Sequence, residues 1–253
     1  MKTKLIRMVT SDNLRFDGLL YEPENKTNKV VIHVHGTSSD FYRTEYFETM
    51  SEKYTNAGYA FLTFNNRGSG REYHFKTVKD GKIGPSVEIG SRNEIFEDCE
   101  IDIQAAIDFV KTKGLHEIVL QGHSYGCNKV IWYTLENDFC GKIILLAPCD
   151  IYNQALKKSA IERKARDVNN VDMFRYRDNV VSPKLAKITN DLLVEIGTVD
   201  KYIRCDDVHG CIDYLQRAFS NSKVTGHLIE NANHNFNGCE EKLVENLIEW
   251  LAR

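Results

Sequence analysis

Short, nearly continuous β-branched runs recur along the chain, with helical stretches between them. The first, Val30-Val31-Ile32-His33-Val34-His35, runs into Gly36 with almost no polar alternation. Such a run suits a strand covered on both faces, as in a parallel sheet. The pattern returns at residues 59–64, 117–121, 142–146 and 192–196, and residues 224–229 read as a last strand. Residues 41–56, 94–111, 129–135, 208–219 and 240–252 lie between or after these runs and read as helices. In 94–111, Phe96, Cys99, Ile103, Ile107 and Val110 share one face. Strand–helix alternation of this kind predicts an α/β fold, a mostly parallel central sheet with helices on both faces. Residues 5–9 and 14–20 alternate apolar and polar positions instead, as antiparallel edge strands do.

Two segments break the rhythm. Residues 66–92 are Gly-rich and polar and read as a long loop. Residues 150–190 form an insertion between two strands, with Lys157, Lys158, Arg163, Lys164 and Arg166 in its first half and Tyr152, Phe174 and Tyr176 interspersed. An insertion this long in a compact domain predicts a functional element, here a lid. The chain has 253 residues. At roughly 150 residues per domain that is between one and two domains, and α/β folds of about 250 residues are often single units. The expectation is one domain over 1–253, with the lid inserted in it.

Composition removes several classes. The apolar share of 42 % supports a core, and the net charge of −3 is far from that of a general nucleic-acid binder. No run approaches the ~20 apolar residues of a membrane helix. Arg7, Ser11, Asp12 and Asn13 interrupt any signal-peptide core after the basic start, so a cytoplasmic location is expected, with no membrane contact. Cys99, Cys127, Cys140, Cys149, Cys205, Cys211 and Cys239 are odd in number, widely spaced and lack a CxxC pair. Reduced thiols are expected, with neither a disulfide framework nor a thiolate zinc site. His33 and His35 form an H-x-H pair without an evident third ligand, so no metal is expected and His35 is read as a hydrogen-bonding residue. No G-x-G-x-x-G or P-loop pattern occurs, so no cofactor is expected.

The chemistry concentrates at Ile118-Val119-Leu120-Gln121-Gly122-His123-Ser124-Tyr125-Gly126, a strand running straight into G-x-S-x-G with a helix after it. A tight strand-to-helix turn presents the serine hydroxyl at the sheet edge, and Gly122 and Gly126 let strand and helix approach. A serine hydroxyl is a weak nucleophile at neutral pH and needs a base held by an acid. In this arrangement the chain order is Ser, acid, His. Asp200 follows a strand and a Gly197 turn, and His234 lies in the polar loop between the last strand and the last helix. Asp150 also follows a strand, and Asp206 and Asp207 lie nearby, so the acid has alternatives. A tetrahedral intermediate needs two backbone N–H donors. Tyr125, after the nucleophile, and Thr37, in the loop after the strand at 30–35, are the candidates.

These pieces resemble the α/β-hydrolase superfamily. The matching motifs are His35-Gly36, Asn66-Arg67-Gly68-Ser69-Gly70, Gly122-His123-Ser124-Tyr125-Gly126, Gly197-Thr198-Val199-Asp200 and Asn233-His234-Asn235-Phe236, spanning about residues 30–250. The resemblance implies Ser124 as nucleophile, His234 as general base and Asp200 as its orienter, with a helical cap at 150–190. One departure is Asn65-Asn66-Arg67-Gly68-Ser69-Gly70, where the superfamily usually has Asp-x-Arg-Gly-x-Gly. A serine at the elbow also argues against dehalogenase or epoxide hydrolase chemistry, which needs a carboxylate there. The expected activity is hydrolysis of a carboxylic ester through an acyl-enzyme. The polar, basic lid composition predicts a small or polar acyl substrate rather than a long-chain lipid. The alternative is an acyltransferase, thioesterase or amide hydrolase acting on a carrier-bound or peptide-like acyl group. The expected partner is a small-molecule acyl substrate, and the chain is expected to be a monomer or homodimer.

Overall fold

A computed structural model of the protein describes residues 1–149, 174–175, 179–203 and 208–253. Its centre is a ten-stranded sheet. The buried runs form β3 (Lys29–Val34), β4 (Ala60–Phe64), β7 (Glu117–His123), β8 (Ile143–Leu146), β11 (Leu192–Gly197) and β12 (Val224–Ile229). These six pair in parallel, in the order β12-β11-β8-β7-β3-β4. Every residue of β4, β8 and β11 is buried, whereas most of β12, at the end of the sheet, is only half-buried.

The N-terminal segments form β1 (Lys2–Val9) and β2 (Leu14–Glu22), antiparallel to each other. Their alternation is the signature of one-sided burial: Ile6 and Met8 are buried, while Leu5 and Val9 are exposed. Of these two, only β1 is an edge strand. Residues Gly18–Tyr21 of β2 also pair with β4, and Leu14–Arg15 with Thr77 and Lys76, so β2 is interior to the sheet. The long loop expected at 66–92 is largely not a loop. Residues in it form β5 (His74–Lys79) and β6 (Lys82–Glu88), an antiparallel hairpin that extends the sheet beyond β2. A short helix α2 (Gly90–Asn93) follows.

Helices cover both sides of the sheet. Between β3 and β4 lies α1 (Tyr46–Asn56), which packs on α6 (Glu240–Leu251). On the other side α3 (Cys99–Thr112) packs against α4 (Tyr125–Asn137). A further helix, α5 (Val208–Ala218), lies against β12. Among the described residues no helix is long and apolar enough to cross a membrane.

Of the insertion at 150–190, residues 150–173 and 176–178 lie outside the described residues, and the expected lid falls largely on them. The remainder includes a two-residue ladder between β9 (Phe174–Arg175) and β10 (Val180–Val181). Phe174, read as a lid aromatic, is buried near Phe219, 6.4 Å between ring centroids. Cys99, Cys127, Cys140, Cys149 and Cys239 are in no disulfide. Cys211 is disulfide-bonded, against the expectation of reduced thiols. An odd count and wide spacing argue against a framework of bridges and do not bear on a single one.

Candidate active site

Because β3, β7, β8, β11 and β12 are parallel, their carboxyl ends open on one edge of the sheet, where ligands bind in open α/β folds. Thr37, Ser124, Cys149, Asp200 and His234 all lie just beyond these ends.

Ser124 sits between β7 and α4 at φ 55° and ψ −123°, a left-handed conformation unfavourable for a residue with a side chain. The neighbouring glycines show what enforces it. A Cβ at Gly126 would lie 2.0 Å from the Val34 carbonyl oxygen, and one at Gly122 would lie 2.6 Å from the Cys127 backbone. A Cβ at Gly36 would meet the Ser124 Cβ at 2.9 Å, so the loop after β3 presses directly on the serine. The Ser124 N–H donates to the Leu146 carbonyl at 2.9 Å, fixing the turn to β8.

The other two expected residues are brought together. His234 Nδ1 and Asp200 Oδ2 are 2.7 Å apart. Asp200 is held in place by its second oxygen, Oδ1, which accepts from the N–H groups of Tyr202 at 2.7 Å and Ile203 at 3.3 Å. The two loops are laced to each other: Val199 N–H donates to the Ala232 carbonyl, and Asn231 N–H to Thr198 Oγ1. Gly197 allows this approach, since a Cβ there would lie 2.2 Å from the Ala232 oxygen. His123 Nε2 lies 2.8 Å from the His234 carbonyl, tying the histidine loop to the residue before Ser124. Burial, helped by the neighbouring His234, pulls the His123 pKa down to about 3, so the ring is neutral and its Nε2–H donates. Asp150, Asp206 and Asp207, the alternative acids, lie outside the described residues.

The Ser124 hydroxyl is not joined to His234. Its hydrogen-bond partner is Cys149 Sγ, 3.6 Å away. Cys149 was not singled out in the sequence. Its one signal was its place just past β8, among the residues that a parallel sheet gathers at its carboxyl edge.

Thr37 N–H has no acceptor among the described residues. Tyr125 N–H is the first donor of α4, which the helix itself leaves unpaired. Behind Thr37, His35 Nδ1 contacts the Gly36 carbonyl at 2.8 Å, and its Nε2 takes Ser69 Oγ at 2.9 Å and Asn66 N–H at 3.2 Å. Burial lowers the His35 pKa to about 3, so the imidazole is neutral, and its three contacts are those of the hydrogen-bonding residue expected from the sequence. His33 is caged by Tyr46, Phe47 and Phe61 and accepts from Gln121 Nε2 at 2.7 Å. The two rings of the H-x-H pair thus have separate partners. Among the described residues no cluster of three or more His, Cys, Asp or Glu is placed to hold a metal ion.

Beside Thr37 and Asn235 opens a cleft of about 350 Å³, lined also by Arg43, Thr44, Glu45 and Asn237. Asn237 Nδ2 donates to Glu45 Oε2 across it.

No protein-family model matches the sequence, and comparison with curated proteins finds no match. Solved structures do match. The Pyrococcus furiosus esterase Pf2001 superposes with a TM-score of 0.67 at 19 % identity, over 100 % of this chain and 91 % of that one. Est1E from Butyrivibrio proteoclasticus, solved with ferulic acid bound, gives 0.67 at 17 % identity over 97 % of both chains. A dienelactone hydrolase from Anabaena variabilis gives 0.64 at 14 % identity, over 99 % of this chain and 97 % of that one. The protein therefore has the fold of the α/β-hydrolase superfamily.

Proposed function

We propose that the protein is a serine hydrolase that cleaves carboxylic esters of small or polar acyl groups. The observation that carries this reading is the 2.7 Å contact between Asp200 and His234, on loops laced to each other and tied through His123 to the strained Ser124. The esterases of the same fold support it.

In this mechanism the Ser124 hydroxyl leaves Cys149 Sγ by rotating about χ1 and meets the free Nε2 of His234. Nε2 takes the proton as Oγ attacks the ester carbonyl. Asp200 holds the ring by Nδ1, which fixes the tautomer and stabilises the imidazolium that forms. The N–H groups of Thr37 and Tyr125 receive the oxyanion, each such donor contributing about 10²–10³ in kcat. The alcohol departs with the proton from Nε2, leaving an acyl group on Ser124. Water then repeats the sequence and releases the acid. No step calls for a cofactor or metal.

The test is intact mass after incubation with a fluorophosphonate. One adduct on the parent chain and none on Ser124→Ala is the expected result. An unlabelled parent, or a labelled variant, overturns the assignment. Product analysis with added alcohols and amines then separates hydrolysis from acyl transfer.

A further inference from the structure

We propose that the cleft beside Thr37 and Asn235 binds a carboxylate carried by the ester, on the outward face of the Arg43 guanidinium. This rests on the reading of Ser124 as the acyl nucleophile, because it makes the cleft a subsite of that centre. The cleft meets the centre at two points. Thr37 supplies a candidate oxyanion donor, and Asn235 follows His234 directly. An ester whose carbonyl oxygen rests on the Thr37 amide lies beside this cleft, within reach of one of its ends.

The lining is polar throughout, with no aliphatic or aromatic wall for an alkyl chain. Within it Arg43 is preorganised. Asp40 is buried and accepts from the N–H groups of Tyr42 at 3.0 Å and Arg43 at 2.8 Å through Oδ1, and from Arg43 Nε through Oδ2. The carboxylate therefore grips Arg43 by Nε. The Nη1 and Nη2 groups have no partner among the described residues. A guanidinium held in this way presents two parallel N–H donors, the geometry that matches a carboxylate, with little rotamer freedom left to lose on binding. Asp40 lies behind the guanidinium and its charge is met by three donors, so an incoming anion encounters the cation first. Glu45 is the one acidic residue in the lining, and its Oε2 is engaged by Asn237. Arg43 is the one cation in the lining and the group an anion would seek there.

The test is calorimetric binding to the Ser124→Ala chain, in which the ester survives. Two matched pairs are compared, each a free carboxylate against its methyl ester: 4-carboxyphenyl butyrate, with the charge on the leaving group, and mono-4-nitrophenyl adipate, with the charge on the acyl group. The charged member of at least one pair is expected to bind about tenfold tighter than its methyl ester, the scale of one charge-assisted contact. Adding Arg43→Gln should erase the difference. Adding Lys111→Gln, which removes an exposed cation at the far end of α3, should leave it. Equal binding within both pairs overturns the proposal, and so does a preference that survives Arg43→Gln. Turnover is measured separately on the parent chain. A chain that shows the Arg43-dependent preference but does not turn over any of the four esters upholds the carboxylate site and counts against the hydrolase reading.

Discussion

Ser124 shows how a single residue trades stability for chemistry. At φ 55° and ψ −123° it is in a region that costs roughly 1–3 kcal/mol for a residue with a Cβ. Glycine carries no such penalty there, and its greater freedom in the unfolded chain costs only about 0.5–1 kcal/mol. Ser124→Gly is therefore expected to raise the melting temperature by about 2–4 °C relative to Ser124→Ala, which keeps the Cβ and the strain. Thermal unfolding of the two variants checks this, and an equal or lower value for the glycine variant would show the turn to be unstrained. At this scale much was legible. Gly122, Ser124 and Gly126 fall within five residues, and the close approach of Gly122 to the Cys127 backbone follows from that spacing, whereas Gly126 is required by the Val34 carbonyl of β3. Gly36 and Cys149 touch the same serine from other strands. No local spacing encodes such contacts, because they exist only once the strands lie side by side.

The helix that follows Ser124, α4, also anchors the rest of the site. Lys129 of α4 is buried and donates to Glu94 Oε2 at 2.6 Å and to Asn66 Oδ1 at 3.1 Å. Asn66 Oδ1 also accepts from Gly68 N–H, and the Gly68 carbonyl accepts from Ser38 N–H at 2.9 Å. One buried ion pair thus links α4, the segment before α3, the loop after β4 and the loop that carries Thr37. Lys129→Met strands the Glu94 carboxylate in the interior and should cost about 3–5 kcal/mol in chemical denaturation. Combining it with Glu94→Leu removes both charges and should recover most of that loss. A double variant no more stable than the single one would show that the polar links, and not the stranded charge, set the energy. Sequence reading placed Lys129 on a helix but gave it no role, since a lysine on a helix is ordinarily a solvated one. The β5–β6 hairpin was hidden differently. Its signal was present at Asp80-Gly81, whose positive φ values of 50° and 73° make the tight turn that such a pair favours. The glycines on either side made the whole stretch read as loop.

Across the whole molecule, the buried histidines govern how stability responds to acid. Burial holds His35 and His123 down to about 3 and His33 well below its ordinary value, so all three are neutral in the folded chain. In the unfolded chain each titrates near 6.5. Below that pH the unfolded state binds protons that the folded state refuses, and each such proton removes about 1.4 kcal/mol per pH unit. The loss begins as pH falls through about 6.5 and continues until the folded pKa is reached. His227 acts in the opposite sense. Its hydrogen bond to Glu195 raises its pKa, and Lys242 and Arg253 oppose that shift. Its contribution is therefore full below about 6.5 and fades as pH rises through the folded value. Below about 6.5 His227 is protonated in both states and adds no slope, so on the acid side the buried rings set it. Stability from urea denaturation should therefore fall by about 3 kcal/mol per pH unit between pH 5.5 and 4, for three protons partly offset by Asp102, whose buried carboxyl is pushed up to about 6 and is protonated first in the folded chain. His33→Gln, which keeps an acceptor for Gln121, should make that slope shallower by about 1.4 kcal/mol per pH unit. A stability that stays flat down to pH 4, or a variant whose slope matches the parent, would mean that the rings take up protons without unfolding. The neutral imidazole packing that supports Thr37 and His234 would then not be what acid attacks first.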